Sequence, residues 1–369
     1  MNHSGSLWRR FDYVLLGVTI LLTLFGIVAI RSATLDAIDP DLINRVPDQI
    51  RFALLGGVVM LALAALDYRL VSALHHWLYI LMIILLVLVF FFGVEGDAGA
   101  QSWINIGIRI QPSEVAKVLI IITLGTYLAQ NFHKMDNFMT VVKSAIHVGV
   151  PAVIVFIQPD LGMTTVFLAV WIIMIWAAGL RLRHIATFGL VLTLTLPLTV
   201  PLVWSQMQDY QRQRILSFVL PETDPDDNYN IRQAVTSIGS GGLFGKGYAQ
   251  GPQNVGRFLR VRHTDFIFAV IAEEFGMIGG LAVMGGLGLV LMRILRAARL
   301  AADAFGSLIC YGVAGFIFFQ TVVSIGMNLN LVPVTGLTLP FISSGGTSLL
   351  STLAGLGLVQ SVIMRRRRL

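Results

Sequence analysis

Asp265 is an acidic residue at the point where a polar stretch of the chain becomes strongly apolar. It lies in the run Arg-His-Thr-Asp-Phe-Ile-Phe-Ala, which begins at Arg262. A carboxylate at a membrane boundary is costly unless it has a partner or a function. An ion pair with Arg262 or His263 would give it a structural role in fixing the loop. We predict the functional alternative, in which Asp265 faces a lipid-borne substrate at the outer membrane surface.

Two further acidic motifs share a pattern: a Gln-Pro-Ser-Glu motif ends at Glu114, and a Gln-Pro-Asp motif ends at Asp160. Proline and acids both suit the first turn of a helix, so helix capping alone would account for these motifs. Lys117, however, follows Glu114 on the same helical face, and a lysine buried in a membrane needs a partner. We therefore predict that Glu114 and Lys117 form a pair and, with Asp160, line a polar cavity.

A glycine-rich run from Gly239 to Gly247 contains Lys246. The run has Ser240 and Gly247 where a nucleotide-binding P-loop needs its first glycine and its final Ser or Thr, which argues against that site. Its backbone amides could form an anion-binding nest, although a plain flexible turn explains the glycines equally well. Arg212 and Arg214 precede it in the same loop, and their planar guanidinium groups match phosphate oxygens. Arg212, Arg214 and Lys246 are therefore candidate ligands for a diphosphate, with lipid headgroup contact as the alternative.

Membrane-spanning helices must position these residues, because apolar runs recur along almost the whole chain. Of 369 residues, 56% are hydrophobic and 12% charged, and the mean hydropathy is +0.79. Soluble domains carry about 25% charged residues, and a helix crosses a bilayer with about 20 apolar residues. The candidate spans are Tyr13–Ile30, Phe52–Leu66, Trp77–Val94, Val115–Leu128, Val142–Ile157, Met163–Gly179, Ile185–Trp204, Phe266–Met292, Phe305–Met327 and Ser348–Met364.

The sequence thus predicts an all-α integral membrane protein with ten transmembrane helices. Residues 1–369 form a single polytopic membrane domain in this prediction, with a large extracytoplasmic loop, 205–264, between spans 7 and 8. Apolar residues within the loop predict short amphipathic helices on the membrane surface. The eighth span is long enough to tilt or to break near Gly276.

The basic residues predict the orientation of the chain. With the N-terminus inside, every inner loop carries at least one Lys or Arg, as the positive-inside rule requires, so both termini are expected in the cytoplasm. The net charge of +6 is concentrated in short tracts beside apolar runs, without the interleaved aromatic residues of a nucleic-acid surface. We therefore expect no nucleic-acid partner. Cys310 is the single cysteine, which excludes an intrachain disulfide.

The motifs, taken in order, resemble the SEDS family of bacterial cell-wall polymerases over essentially the whole chain, and its elongation branch in particular. Two departures from the family pattern are Arg260-Val261, where Pro-Glu is frequent, and Ser344, where tyrosine is common. The segments that carry the resemblance are Gln111 to Lys117, Gln158 to Gly162, Tyr210 to Arg214, Gly239 to Gly247, His263 to Val270 and Pro333 to Gly346.

The resemblance implies a peptidoglycan glycosyltransferase that polymerises lipid II into glycan strands during cell elongation and rod-shape maintenance. It also implies a location in the bacterial inner membrane and a class B penicillin-binding protein, a transpeptidase, as partner. The essential aspartate of the family falls on Asp265, and its other acids and lysine fall on Glu114, Asp160 and Lys117.

The reaction requires a base for the attacking hydroxyl and positive charge for the diphosphate leaving group. Asp265 is either that base, the residue that orients the acceptor, or a ligand of a divalent cation on the diphosphate. Mg²⁺ or Mn²⁺ is the expected cofactor, and the sequence does not identify its other ligands.

Two other functions stay open. A flippase for the lipid-linked precursor would suit the membrane-embedded Glu114, Lys117 and Asp160, but the polar groups cluster on the outer side without a matching inner gate. The second open function is a non-catalytic scaffold that docks a single-span partner. Scaffolding is compatible with catalysis, so it replaces the enzyme only if Asp265 is dispensable.

Overall fold

The structure is a computed structural model of the chain, and it describes residues 7–35, 40–95, 101–105, 107, 109–219, 225–256, 258–259 and 261–366. In chain order the helices are α1 (Tyr13–Ala33), α2 (Pro40–Ile43), α3 (Arg45–Ala65), α4 (Tyr68–Ala73), α5 (His75–Phe92), α6 (Pro112–Gln130), α7 (Phe138–Ile157), α8 (Leu161–Ala177), α9 (Leu182–Gln206), α10 (Asp209–Val219), α11 (Pro225–Ser240), α12 (Pro252–Val255), α13 (Ile267–Leu300), α14 (Ala304–Asn328) and α15 (Gly346–Met364).

Each of the ten predicted spans falls on a helix. Among the described residues, eight helices are long and apolar enough to cross a membrane: α1, α3, α5, α6, α7, α13, α14 and α15. The α8 helix is apolar but has only 17 residues, and α9 has 25. The predicted short helices of the 205–264 loop are present as α10, α11 and α12.

Aspartate side chains cap three of the long helices. The carboxylates of Asp12, Asp160 and Asp303 accept hydrogen bonds from backbone amides three residues on, at 3.0, 3.0 and 2.8 Å. An N-terminal helix amide has no partner within the helix, and a short acidic side chain satisfies it. These aspartates therefore define where α1, α8 and α14 begin.

The prediction of an all-α fold is wrong for one short stretch. An antiparallel sheet in the order β1-β2-β3 joins α5 to α6, with β1 at Gly93–Glu95, β2 at Gln101–Asn105 and β3 at Arg109–Ile110. Strands of two to five residues are too short to show an alternating pattern in the sequence. Between β2 and β3, Gly107 has a φ of 87° and donates its amide to the Asn105 side chain at 3.1 Å.

Three helices form the centre of the bundle. Within their most apolar windows, 78% of α6, 72% of α14 and 89% of α15 is buried, against 22% of α3 and 17% of α5. A helix that is apolar all round belongs either in a protein core or against lipid. The structure therefore places α6, α14 and α15 inside and leaves the outer faces of α3 and α5 for lipid.

Helix α13 breaks at Gly276, as the length of the predicted span indicated. Gly276 has φ 69° and ψ −167°, a conformation open to glycine and costly for other residues. The break removes the normal partners of the carbonyls of Glu273 and Glu274. The amides of Lys246 and Gly247 replace them, at 2.9 and 3.0 Å.

The amides that follow the break are satisfied by the same loop. Met277 donates its amide to the Gly242 carbonyl at 2.9 Å, and Ile278 donates to the Leu243 carbonyl at 3.2 Å. Non-helical backbone at membrane depth is tolerated only where the protein supplies such partners. The run Gly239 to Gly247, called the glycine loop below, thus completes the hydrogen bonding of α13.

The glycine loop needs glycine because its backbone touches that of α13. A Cβ atom on Gly241 would overlap the carbonyl oxygen of Ala272, and one on Gly245 would overlap the carbonyl oxygen of Glu274. Gly245 also has a φ of 83°, which side chains rarely adopt. Close approach, not flexibility, therefore explains these two glycines.

We expect Gly245→Ala to lower the free energy of unfolding by at least about 2 kcal/mol, since it combines an unfavourable φ with an overlap on Glu274. The thermal melt of the purified protein in detergent measures the effect. Gly239→Ala is the matched control, because no atom lies within 4 Å of its Cβ position and it belongs to α11. Equal melting temperatures for the two variants would contradict this explanation of the loop.

Candidate functional site

Asp265 lies in a turn over residues 261–266, immediately before α13, and its side chain is partly buried. The backbone of this turn is held by the last residue of α14. Asn328 donates its side-chain amide to the carbonyl of Asp265 at 2.8 Å and to the carbonyl of Ser324 at 2.7 Å, and its side-chain oxygen accepts from the Ala269 amide at 3.0 Å. Asn328 is fully buried, so these bonds form in a site without competing water.

The irregular segment between α14 and α15 holds the same turn from another side. Ser343 donates its hydroxyl to the Thr264 carbonyl at 2.7 Å, and the Ser344 amide donates to the His263 carbonyl at 2.9 Å. Ser344 contributes its backbone, so the tyrosine common at this position in the family is not required for the contact. Arg260, the site of the other sequence departure, lies outside the described residues.

Helix α3 anchors this segment. Gln49, which is buried, donates its side-chain amide to the Ser343 carbonyl and accepts the Gly345 amide, both at 3.3 Å. The Asp265 turn is thus connected through the 343–345 segment to α3 as well as directly to α14. Three consecutive carbonyls of the turn, from 263 to 265, are fixed by hydrogen bonds.

Glu114 and Lys117 form the predicted ion pair, with Nζ 2.6 Å from Oε2. Their side chains are only 4% and 0% exposed. Ser351 of α15 donates its hydroxyl to the same Glu114 oxygen at 3.0 Å, and Lys117 donates to Oε1 of Gln320 at 3.2 Å. The Lys117 ammonium also lies 4.3 Å from the ring centre of Phe316, within range of a cation–π interaction.

One face of α14 connects the ion pair to the Asp265 turn. Gln320, Ser324 and Asn328 are spaced four residues apart, which places them on the same helical face, and all are fully buried. Gln320 contacts Lys117, and Asn328 contacts the backbone of Asp265. The two contact points are separated by a rise of about 12 Å along the helix.

Asp160 is a helix cap that also joins two helix starts. Beyond its bond to the Met163 amide, it accepts a hydrogen bond from the side-chain amide of Gln111 at 2.8 Å. Gln111 precedes α6, and Asp160 precedes α8. The two Gln-Pro-acid motifs are therefore in direct contact, and the capping interpretation is correct for Asp160.

The three basic residues that the sequence offers as diphosphate ligands have different surroundings in the structure. Arg212 donates Nε to the Trp204 carbonyl at 2.9 Å and Nη2 to the Ser205 carbonyl at 3.0 Å, contacts that cap the end of α9. The side chain of Arg214 lies outside the described residues. The side chain of Lys246 is exposed, but its amide and that of Gly247 are already bonded to α13. The prediction of an anion nest is therefore wrong for these two amides.

Asp265 is a partly buried residue in a turn whose backbone carbonyls are fixed by hydrogen bonds. Among the described residues, no group of three or more His, Cys, Asp or Glu is placed to hold a metal ion. Sequence reasoning missed Gln320 and Ser351. Asn328 precedes a Pro- and Gly-rich segment that predicts irregular backbone, and this was the only signal pointing to it.

Comparison with known proteins places these features in a family. The profile FTSW_RODA_SPOVE, described as cell cycle protein, matches residues 12–368. Peptidoglycan glycosyltransferase MrdB of Escherichia coli K12 is 34% identical over 362 residues, which cover 97% of this chain and 96% of that protein. Stage V sporulation protein E of Bacillus subtilis is 35% identical over 358 residues, which cover 95% and 96%.

Solved structures agree with the fold. A chain from a structure described as "Structural coordination of polymerization and crosslinking by a peptidoglycan synthase complex" has a TM-score of 0.79 at 30% identity, covering 96% of this chain and 98% of that one. Rod shape determining protein RodA of Thermus thermophilus has a TM-score of 0.69 at 30% identity, with coverage of 97% and 98%. The chain belongs to the FtsW/RodA/SpoVE family, the SEDS family that its motifs indicated.

Proposed function

We propose that the chain is a peptidoglycan glycosyltransferase that polymerises lipid II into glycan strands during cell elongation and rod-shape maintenance. The observation that carries this proposal is the full-length similarity to proteins named peptidoglycan glycosyltransferase, at 34% identity for MrdB of Escherichia coli. The contacts at the Asp265 turn agree with it, because they fix the backbone of the proposed catalytic residue from two other elements.

The proposed topology has ten spans with both termini in the cytoplasm. It adds α8 and α9 to the eight helices that meet the length and apolarity requirements. A 17-residue helix is about 26 Å long, close to the bilayer core of about 30 Å. The loop 205–264 then lies outside the cell between spans 7 and 8, and Asp265 faces the outer leaflet.

In the proposed reaction, the 4-hydroxyl oxygen of one lipid-linked disaccharide bonds to the anomeric carbon of another. The bond from that carbon to the phosphate oxygen breaks, and the lipid diphosphate leaves with the bonding electrons. Asp265 accepts the hydroxyl proton, orients the acceptor, or would hold a divalent cation, which would supply positive charge for the diphosphate. Mg²⁺ is usually held by one or two carboxylates together with substrate phosphates, so a single carboxylate and a diphosphate provide a suitable set of ligands.

The remaining residues are assigned supporting roles. Glu114, Lys117 and Asp160 shape the interior beside the substrate, and Arg212, Arg214 and Lys246 contact the diphosphate. A class B penicillin-binding protein is the proposed partner. It is supported by the similarity to a chain from a complex described as coordinating polymerization and crosslinking.

We expect Asp265→Ala and Asp265→Asn to reduce polymerisation at least about 100-fold, the usual effect of removing a positioned acid or base. The purified protein would be incubated with its penicillin-binding partner, fluorescent lipid II and Mn²⁺. The products would then be resolved on a gel to detect glycan ladders. A thermal melt equal to that of wild type confirms folding. A full ladder from either variant would contradict the assignment, and labelled lipid crossing liposomes without any ladder would favour the flippase.

Removal of divalent cations tests whether Asp265 acts by binding a cation. If it binds a cation, excess EDTA abolishes the ladder and Mg²⁺ or Mn²⁺ restores it, since the diphosphate leaving group loses the charge stabilisation that the cation would supply. We expect this result in the same gel assay, with EDTA already saturated with Zn²⁺, which Mn²⁺ and Mg²⁺ do not displace, as the control for chelator effects. Full activity in EDTA would contradict the cation role and leave Asp265 as the base or as the residue that orients the acceptor.

Because Glu114 and Lys117 form a buried ion pair, we expect their substitutions to have non-additive effects on the free energy of unfolding. Lys117→Met leaves the Glu114 carboxylate buried and unpaired, which we expect to cost about 3–5 kcal/mol of unfolding free energy. Glu114→Gln combined with Lys117→Met removes both charges and should recover most of that loss. Thermal melts of the single and double variants measure the coupling, and a double variant less stable than Lys117→Met would contradict it.

The folded double variant also tests the role of the pair in activity. We expect loss of the glycan ladder if the pair shapes the substrate site.

A further inference from the structure

A cleft lies at the end of the bundle opposite to the Asp265 turn. It is a shallow, open cleft where α1 begins and where α13 and α15 end, with a cavity volume of about 10 Å³. Asp12, Arg293, Arg296 and Arg366 line it. Arg296 follows Asp265 by 31 residues of the chain, a distance of about 40 Å along α13. The cleft is therefore separate from the proposed glycosyltransferase site.

Asp12, the one carboxylate among the residues that line the cleft, already has partners within the protein. Asp12 is 2.6 Å from Nη2 of Arg293 and accepts from Nε of the same residue at 2.8 Å. Its other oxygen caps α1 through the Leu15 amide at 3.0 Å. Asp12 is only 8% exposed. Arg293 and Asp12 therefore neutralise each other and form one wall of the cleft.

The other two arginines have charges without a protein partner. Within the described part of the chain, the guanidinium groups of Arg296 and Arg366 make no hydrogen bond or ion pair, whereas the backbone of Arg366 is bonded to Ile363 and Arg10. The negative ends of α13 and α15 offer these cations at most a weak attraction. A guanidinium group carries five N–H donors. Arg296 is exposed and Arg366 is half-buried, so the donors of both groups are accessible to an anion from solvent or from a lipid headgroup.

Side chains around the cleft place it at the level of lipid headgroups. Trp8 and Tyr13 flank Asp12, are exposed, and are of the types enriched at membrane–water interfaces. Met292 is 61% exposed and lies one turn before Arg296 on the same face of α13. An apolar surface thus continues from the arginines along α13, in the position that an acyl chain would occupy.

We propose that this cleft binds the headgroup phosphate of an anionic phospholipid. Arg296 and Arg366 donate hydrogen bonds to the phosphate oxygens, a geometry that the planar guanidinium group supports in bidentate form. The acyl chains lie against α13 at Met292. A basic pocket between transmembrane helices is a known kind of headgroup site, and the distribution of basic residues predicts that this end faces the anionic inner leaflet.

Native mass spectrometry of the full-length protein in neutral detergent tests the proposal. The probes are phosphatidylglycerol, phosphatidylcholine as the lipid without net charge, and inorganic phosphate as the anion without acyl chains. Relative to wild type, we expect Arg296→Gln to weaken phosphatidylglycerol retention about fivefold, and Arg296→Gln with Arg366→Gln to weaken it more than about tenfold. Arg299→Gln is the matched control, since Arg299 is exposed on the same helix and outside the cleft.

The outcomes separate the alternatives. Retention of phosphatidylglycerol over phosphatidylcholine that is lost in R296Q and kept in R299Q supports the proposal. Equal losses in R296Q and R299Q would show general attraction to a basic surface and overturn it. Displacement of phosphatidylglycerol by an equal concentration of inorganic phosphate would show an anion site without lipid specificity, which also overturns it. Thermal melts of all variants exclude unfolding as the cause.

Discussion

A backbone break inside a membrane helix leaves amides and carbonyls that only the protein can pair, and much of this structure follows from that constraint at Gly276. The carbonyls of Glu273 and Glu274 and the amides that follow the break all bond to the glycine loop. The loop must therefore approach α13 backbone to backbone, which requires glycine at 241 and 245 and engages the amides of Lys246 and Gly247. The Asp265 turn at the start of α13 is held separately, by α14 and by the 343–345 segment.

A second constraint comes from the charges of Glu114 and Lys117 in the bundle interior. Each buried charge loses several kcal/mol of hydration energy, and one close contact recovers this only if the remaining hydrogen-bonding groups are also satisfied. Ser351 and Gln320 supply those additional bonds from α15 and α14. The pair therefore depends on the three most buried helices being assembled together, and it disfavours arrangements that bring only two of them into contact.

Sequence reasoning predicted the features that depend on local pattern. Long apolar runs located the helices, the three-residue spacing predicted the Glu114–Lys117 pair, and the glycine in an overlong span predicted the break at Gly276. It could not predict partners far along the chain: Gln320 is 203 residues from Lys117, and Ser351 is 237 residues from Glu114. The sheet was missed because its strands are too short to show an alternating pattern. The role of the glycines in the glycine loop was ambiguous because a flexible turn and a close backbone contact both favour glycine.

The shared face of α14 makes this helix a mechanical link across the thickness of the bundle. Gln320 is bonded to the interior ammonium of Lys117, while Asn328, two turns away, is bonded to the backbone of Asp265. A rotation of α14 about its own axis would displace both contacts together, because they project from one side of the same cylinder. Helix α14 thus connects the interior ammonium of Lys117 to the backbone of the turn that carries Asp265, across two turns of one rigid element.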